Sequence, residues 1–291
     1  LEGKLIELAS VCGCPENFYL ENESCFPLDY NISKTVSLKY ILNGKINFIS
    51  FTVYNDFSDY VSALPRSIVS SGNSNNISRA DFKLKAIQQE TQKDFLLPLV
   101  VEIQNITNNK EDQARIAVSL VQNIPFGSSN KTLNFFGEEI NHTRYPYEVI
   151  YEMEGVCEEK TDLLLFLLKE LGYGVSFFYY KPENHEAAGI KCPVKESLME
   201  TGYCFVETTS PSIITDNEIY YSSVGKLVSE PVFYFVSDGD SLGKNLLEYK
   251  DAEKLIRIRD SIDRRGVIGP FYRKTIEELT YRYGLTEQYY R

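Results

Sequence analysis

The chain has no tryptophan, only two histidines and only two methionines in 291 residues. Two imidazoles rule out a three-histidine zinc site, and any reaction that needs one must use His142 or His185. Long apolar runs are missing too. The longest, Leu163 to Leu168 and Phe95 to Val101, the second broken by Pro98, fall far short of the roughly 18 residues that span a bilayer. Positive charge is scarce: 30 Lys and Arg stand against 41 Asp and Glu, for a net charge of −11 and an isoelectric point near 4.9. That balance argues against broad electrostatic binding of nucleic acid or of an anionic membrane, which both select clustered Lys and Arg.

What is present is ample material for a core. Hydrophobic residues make up 43% and aromatic residues 13% of the chain, which excludes disorder. Its length suits one large domain or a core with an appendage, since domains run to roughly 100–200 residues. It begins with Leu1 rather than Met, so an amino-terminal signal or membrane anchor removed ahead of it is an expectation.

Six Asn-x-Ser/Thr triplets begin at Asn22, Asn31, Asn76, Asn105, Asn130 and Asn141. Chance supplies about two or three at this composition, so the excess points to an extracellular or cell-surface location, against the competing reading of a merely Asn- and Ser-rich sequence. Cys12, Cys14 and Cys25 lie close together, Cys192 and Cys204 flank one loop, and Cys157 stands alone. Three cysteines with no fourth ligand nearby make a poor zinc site. The grouping favours one disulfide among the first three, one joining Cys192 to Cys204, and a free Cys157, although spacing alone does not fix pairing. No metal or other cofactor is implied.

Thr35 to Leu42 and Ile46 to Tyr54 alternate apolar and polar residues on either side of Asn43-Gly44-Lys45, the strongest short-range hairpin signal. Ser70 to Asn76 reads as an exposed linker ahead of a polar helix over Arg79 to Gln92. Helices are expected at Phe95 to Ile106 and Glu111 to Ile124, the second ended by Pro125. Gly127 to Arg144 reads as loop, and Tyr145-Pro146 opens a short helix. Leu163 to Leu168 are apolar on every side of a helix that begins near Cys157 and stops at Gly172, so this helix is expected to run through the middle of a domain. Strands are expected at Val175 to Tyr180, Glu186 to Ile190, Tyr203 to Thr208 and Val232 to Val236, and two further helices at Ala252 to Arg264 and Lys274 to Tyr283. The connections are too short for parallel crossovers, so the class is α+β with an antiparallel sheet. Three regions follow: an amino-terminal Cys-containing and β-hairpin region over 1–92, a core over 93–236 and a helical extension over 237–291.

Three residues are candidates for one active site. A thiol attacks as thiolate, and a helix amino terminus and a nearby imidazolium both favour that form. Cys157 has the first feature by position, His185 opens a strand, and Glu207 lies in Tyr203-Cys-Phe-Val-Glu-Thr-Thr-Ser-Pro211. If the two strands pair against the helix start, thiol, imidazole and carboxylate line up, and first-turn amides cradle an oxyanion. Spacing leaves blander readings open: a buried apolar Cys, a satisfied His, a solvated Glu. Glu158 and Glu159 directly after the thiol also act against thiolate formation.

Taken together, Tyr145-Pro-Tyr-Glu, Gly155-Val-Cys-Glu, the Leu-rich helix to Leu171-Gly-Tyr, Asn184-His-Glu-Ala-Ala and Val206-Glu-Thr-Thr-Ser-Pro resemble, in order and spacing, the core of transglutaminase-like proteins. The match covers roughly residues 110 to 212, just over a third of the chain. The resemblance implies a papain-like α+β fold with Cys157 as nucleophile, His185 as base and Glu207 in the place of the family's usual Asp. The Trp-like oxyanion donor of some relatives has no counterpart here.

Two functional readings of different class result. One is a thiol enzyme that hydrolyses peptide or amide bonds of a peptide or protein substrate, or passes the acyl group to an amine. The other is a catalytically silent member of the same fold that serves as a cell-surface binding module. A reversible redox thiol would require Cys192 or Cys204 beside Cys157. Asp238-Gly-Asp240 offers only two carboxylates for calcium and reads as a solvated turn, Gly266 to Gly269 lacks a phosphate-loop pattern, and no role is assigned to His142.

Overall fold

A computed structural model describes residues 18–21, 24–27, 32–64, 79–135, 138–221 and 225–286. Cys12, Cys14, the Ser70 to Asn76 linker and the triplets at Asn22, Asn31 and Asn76 therefore lie outside the described residues. The chain opens with an antiparallel pair, β1 (Phe18–Glu21) and β2 (Ser24–Pro27), followed by the long hairpin of β3 (Ser33–Leu42) and β4 (Lys45–Tyr54). Leu42 pairs with Lys45, and Asn43 and Gly44 both have positive φ, at 52° and 76°. Left-handed backbone at both central positions is the type I′ turn that Asn-Gly favours, because its twist matches that of the flanking strands.

Helix α1 (Asn55–Ala63) follows directly, then α2 (Arg79–Ile87), α3 (Glu90–Ile106) and α4 (Lys110–Gln122). The polar helix expected to reach Gln92 stops at Ile87, where the Gln92 side chain turns back to donate to the Ala86 carbonyl. Helix α3 starts at Glu90 rather than Phe95 and continues through Pro98. An interior Pro costs about 3 kcal/mol. Burial of Leu96, Leu99, Val100 and Ile103 against the core outweighs it.

Within the segment expected to be loop, β5 (Thr132–Phe135) and β6 (Glu138–Asn141) pair antiparallel. Their short alternation, four residues each, was too weak a period to distinguish from loop. Then come α5 (Pro146–Glu152), α6 (Cys157–Glu170), β7 (Val175–Tyr180), β8 (His185–Lys191) and β9 (Tyr203–Val206). A small pair, β10 (Tyr220–Tyr221) and β11 (Gly225–Lys226), precedes β12 (Val232–Ser237), and α7 (Leu247–Arg265) and α8 (Pro270–Tyr283) close the chain. The protein is thus a mixed α and β structure with antiparallel sheets, the largest ordered β12-β7-β8-β9.

Helix α6 packs on β7 and β8 and also meets α2, α3, α4 and α5, so it is enclosed as its leucine run requires. Leu163 to Leu168 are at most 1% exposed. The same core cluster takes Leu38, Phe51 and Val53 from the hairpin, Leu99 and Ile116 from α3 and α4, and Phe177 and Ile190 from the sheet. A second cluster seats α7 and α8 through Leu255 and Leu279 beside Ile219 and Tyr221. Gly239 passes the Gly172–Gly174 backbone so closely that a Cβ would lie 2.5 Å from the Gly174 nitrogen. Only glycine fits there. Among the described residues no helix is long and apolar enough to cross a membrane.

Cys192 and Cys204 form the expected disulfide, with Cα atoms 5.7 Å apart, and Cys157 is free. The bond joins positions 12 apart in sequence, between the end of β8 and the start of β9. Loops of this size carry about 3 kcal/mol of chain-entropy stabilisation. The double variant Cys192→Ala/Cys204→Ala should therefore lose about 2–4 kcal/mol of unfolding free energy in urea titrations.

Candidate functional site

Helix α6 begins at Cys157, which is half-buried, with Val156 as its N-cap in extended conformation. His185 is the first residue of β8 and is 5% exposed. Glu207 is the first residue after β9 and is fully buried. Strand alternation brings the last two together: Ala188 pairs with Val206, so residue 207 falls opposite residue 187, on the same face as His185. Glu207 Oε2 lies 2.9 Å from His185 Nε2. The Cys157 thiol acts on the same imidazole and favours its charged form. All three candidate residues thus meet at one place, with the imidazole hydrogen-bonded to Glu207 and acted on by the thiol.

The Glu207 carboxylate is saturated. Oε1 accepts from Thr208 N at 2.9 Å, Thr209 N at 2.7 Å and Thr209 Oγ1 at 2.6 Å, while Oε2 accepts from the Tyr221 hydroxyl as well as from the imidazole. Burial favours the neutral acid, but the His185 charge and these donors outweigh it and hold the carboxyl down to about 2. Burial likewise opposes charging His185. The adjacent carboxylate and the hydrogen bonds to Cys157 and Glu207 overcome that and push the imidazole up to about 10. The Tyr221 ring lies 4.6 Å from the His185 ring, centroid to centroid, and covers it. Gln122 Nε2 holds the Glu207 carbonyl at 2.9 Å and the Ser212 hydroxyl at 3.1 Å, tying α4 to this loop.

The carboxylates that flank the thiol and the imidazole in sequence are themselves compensated. Arg79 and Lys83, both on α2, reach Glu158 at 3.0 and 3.8 Å, and both reach Glu186, at 3.1 and 2.6 Å. Lys83 also contacts Asp162 at 2.8 Å. Glu159 accepts from Arg144 Nη1 at 3.0 Å, from the Arg144 amide at 2.8 Å and from the Val156 amide at 3.0 Å. Arg144 further binds Glu152, Glu154 and the Gly127 carbonyl. The two acidic residues that follow the thiol are therefore each neutralised by a cation. Burial beside other carboxylates pushes Asp162 up to about 8 despite Lys83, and pushes Glu186 up as well. Lys160, one turn along from Cys157, is fully buried and donates to the Ile124 carbonyl at 2.5 Å and the Thr209 carbonyl at 3.1 Å. Its burial brings the ammonium down to about 7 against the pull of Glu207.

Sequence reasoning placed Cys157, His185 and Glu207 but assigned no part to Tyr221, Gln122, Arg79 or Lys83. Thr208 and Thr209 carried the one available signal, two hydroxyl residues directly after a carboxylate, where they can donate back to it. His142 is buried, not a free loop residue, with Nε2 2.7 Å from Glu148 Oε1, and Glu148 Oε2 accepts from the Tyr145 amide. Asp238 pairs with Lys191 at 2.5 Å. Among the described residues no group of three or more His, Cys, Asp and Glu is arranged to hold a metal ion. Cys192 and Cys204 are bonded to each other, so neither is a thiol available to Cys157. Comparison with family models, with curated proteins and with solved structures returned no match.

Two measurements follow from the electrostatics. The raised His185 value means its charge stabilises the fold fully below the unfolded value of about 6.5, and that contribution is lost as pH rises towards about 10. The depressed Glu207 value means its contribution is full above about 4.3 and is lost as pH falls towards about 2. With two histidines to resolve, NMR should show His185 charged and silent from pH 6 to 8, and Glu207→Gln should bring its titration down into that window. A wild-type His185 titrating near 6.5 would contradict the pairing. Lys83→Met, which strands Asp162 without its cation and leaves Glu186 with Arg79 alone, should cost about 3–5 kcal/mol in urea unfolding, and Asp162→Asn in the same chain should recover part of it.

Proposed function

We propose that the protein is a transglutaminase-like thiol enzyme that hydrolyses peptide or amide bonds of a peptide or protein substrate, or transfers their acyl group to an amine. The observation that carries the reading is the His185 imidazole, acted on by the Cys157 thiol at the head of α6 and hydrogen-bonded to a buried, fully donated Glu207. A carboxylate on a β-strand surface with no task is ordinarily solvated. Here four donors besides the imidazole converge on it. The papain-like reading of the fold rests on the same layout, a buried helix with a thiol at its first residue, packed on an antiparallel sheet whose adjacent strands supply base and acid. The disulfide and the exposed Asn105 and Asn130 of two Asn-x-Thr triplets support an extracellular or cell-surface location.

In this proposal Cys157 Sγ attacks the carbonyl carbon of an amide while His185 Nδ1 holds the thiol proton. Glu207 fixes the tautomer, because Nε2–H donates to its carboxylate and leaves Nδ1 for sulfur. The oxyanion that forms is met by first-turn amides of α6, which have no intrahelical acceptor. The imidazolium then gives its proton to the departing amine, which leaves a thioester on Cys157. Water or a primary amine attacks the thioester, its proton passes to His185, and the thiol is regenerated. Glu in place of Asp is accommodated by position. The residue sits one step beyond β9, and the longer side chain reaches back to Nε2.

Iodoacetamide should alkylate Cys157 at pH 6 faster than it alkylates free cysteine, with His185→Ala slowing the reaction. Against a peptide library, Cys157→Ala should abolish turnover and His185→Ala should lower it by about 10²–10⁴-fold. Tyr221→Phe, which removes one donor from Glu207 and leaves the ring on His185, should cost about tenfold. Alkylation no faster than free cysteine would sink the enzyme reading in favour of a silent binding module.

A further inference from the structure

The turn Gly266-Val267-Ile268-Gly269 joins α7 to α8, whose first turn opens with Pro270-Phe271-Tyr272. Turns of this kind are ordinarily polar. This one and the start of α8 expose Val267 by 67%, Ile268 by 36% and Phe271 by 79%. From Ile262 to Thr275 no side chain is buried, and the last buried residues on either side are Ser261 on α7 and Ile276 on α8. The hairpin therefore projects past the point where its stalk packs on the body, and its apolar tip contributes nothing to the core. A left-handed Gly266, at φ 70°, and Pro270 at the first position of α8 fix the turn that holds these side chains outward.

Basic residues flank the tip on both sides. Arg264 and Arg265 precede the apolar stretch, Arg273 and Lys274 follow it, and all four are exposed. Of the acids nearby, Asp263 is engaged by Lys226 at 3.0 Å and Glu278 lies 4.0 Å from Lys274, with Asp260 and Glu277 completing the set. The four acids equal the four cations in number but lie farther from the apolar stretch, so the knob is bordered by a cationic collar backed by carboxylates, a local complementarity to an anionic surface rather than a general affinity for one.

We propose that the α7–α8 tip docks the protein on an anionic lipid bilayer. Val267, Ile268 and Phe271 enter the boundary between headgroups and acyl chains, while Arg264, Arg265, Arg273 and Lys274 face the lipid phosphates, their aliphatic stems lying along the apolar layer. A convex point needs no matching pocket to enter a fluid interface, which favours lipid over a protein partner as the occupant. The tip is remote in sequence from Cys157, His185 and Glu207, so the proposal stands apart from the thiol chemistry.

The test is co-sedimentation of the whole chain with vesicles of phosphatidylcholine alone or of phosphatidylcholine mixed with phosphatidylglycerol. Binding should appear on the anionic vesicles, weaken at least about tenfold on the neutral ones, and fall with added salt. Phe271→Glu and Arg265→Glu should each lower anionic-vesicle binding about tenfold, with an unchanged urea midpoint because both side chains are exposed. Absence of binding to the anionic vesicles, or equal binding by Phe271→Glu, overturns the proposal. So does self-association that Phe271→Glu abolishes without any vesicle binding, which would make the tip a protein-docking face.

Discussion

A helix enclosed along most of its length has little solvent face on which to put polar side chains, and α6 carries four buried ones in a row, Glu159 to Asp162, directly after the partly exposed Glu158. Much of the architecture around the site answers that constraint. Glu158 and Asp162 are met by α2 through Arg79 and Lys83, Glu159 by Arg144, Lys160 by the Ile124 and Thr209 carbonyls, and Thr161 by the Thr208 hydroxyl at 3.2 Å. A buried polar group left unpaired costs about 1–3 kcal/mol, and a charge more. Each pairing therefore pins a different segment to the amino-terminal end of α6: α2, the approach to α5, the end of α4 and the loop after β9. The thiol at the first residue of the helix is located by bonds that do not involve it.

The same constraint explains why charge accumulates in so dry a place. Bringing a carboxylate in alone is prohibitive, but each added cation lowers the cost of the next anion. Lys83 is shared by three carboxylates, yet burial, reinforced by Glu186 beside Asp162 and by Glu158 beside Glu186, keeps both pushed up, while the equally buried Glu207 is held down because donors and an imidazole surround it. The two sets share β8 and part on its alternation. Glu186 points to the α6 and α2 side, and His185, one residue earlier, to the side of Glu207 and Tyr221. One strand thus carries a structural ion cluster on one face and the imidazole–carboxylate pair on the other.

How far the sequence was legible follows from the range of the interactions. Asn43-Gly44 named its own turn, Leu163 to Leu168 named an enclosed helix, and Val175 to Tyr180 matched its strand to the residue, because each is decided within a few positions. The misread stretches are those decided by packing: α3 running through Pro98, α2 cut short by the return of Gln92, and the β5–β6 pair inside apparent loop. At the site the thiol, imidazole and carboxylate stood in recognisable contexts. Tyr221 did not, since a tyrosine among many becomes a partner of Glu207 only once the chain after Pro211 folds back over β9. Lys83 was hidden likewise, in a helix that reads as polar and exposed but is 2% exposed at that residue.

Register is the last condition, and it is set at the opposite end of the sheet. Strand β8 runs away from His185 and β9 runs towards Glu207, so the pairs Lys191 with Tyr203 and Ile190 with Cys204 lie at the far end from both. There Cys192 N donates to the Gly202 carbonyl at 2.9 Å and the disulfide joins Cys192 to Cys204. A slip of one residue between these strands would turn Glu207 to the α6 face, among the carboxylates that Lys83 already compensates, and leave His185 without its partner. The covalent bond forbids that slip without entering the site. The imidazole and carboxylate therefore meet at 2.9 Å through a constraint applied several pairs away, which leaves the residues between them free to be chosen for packing alone.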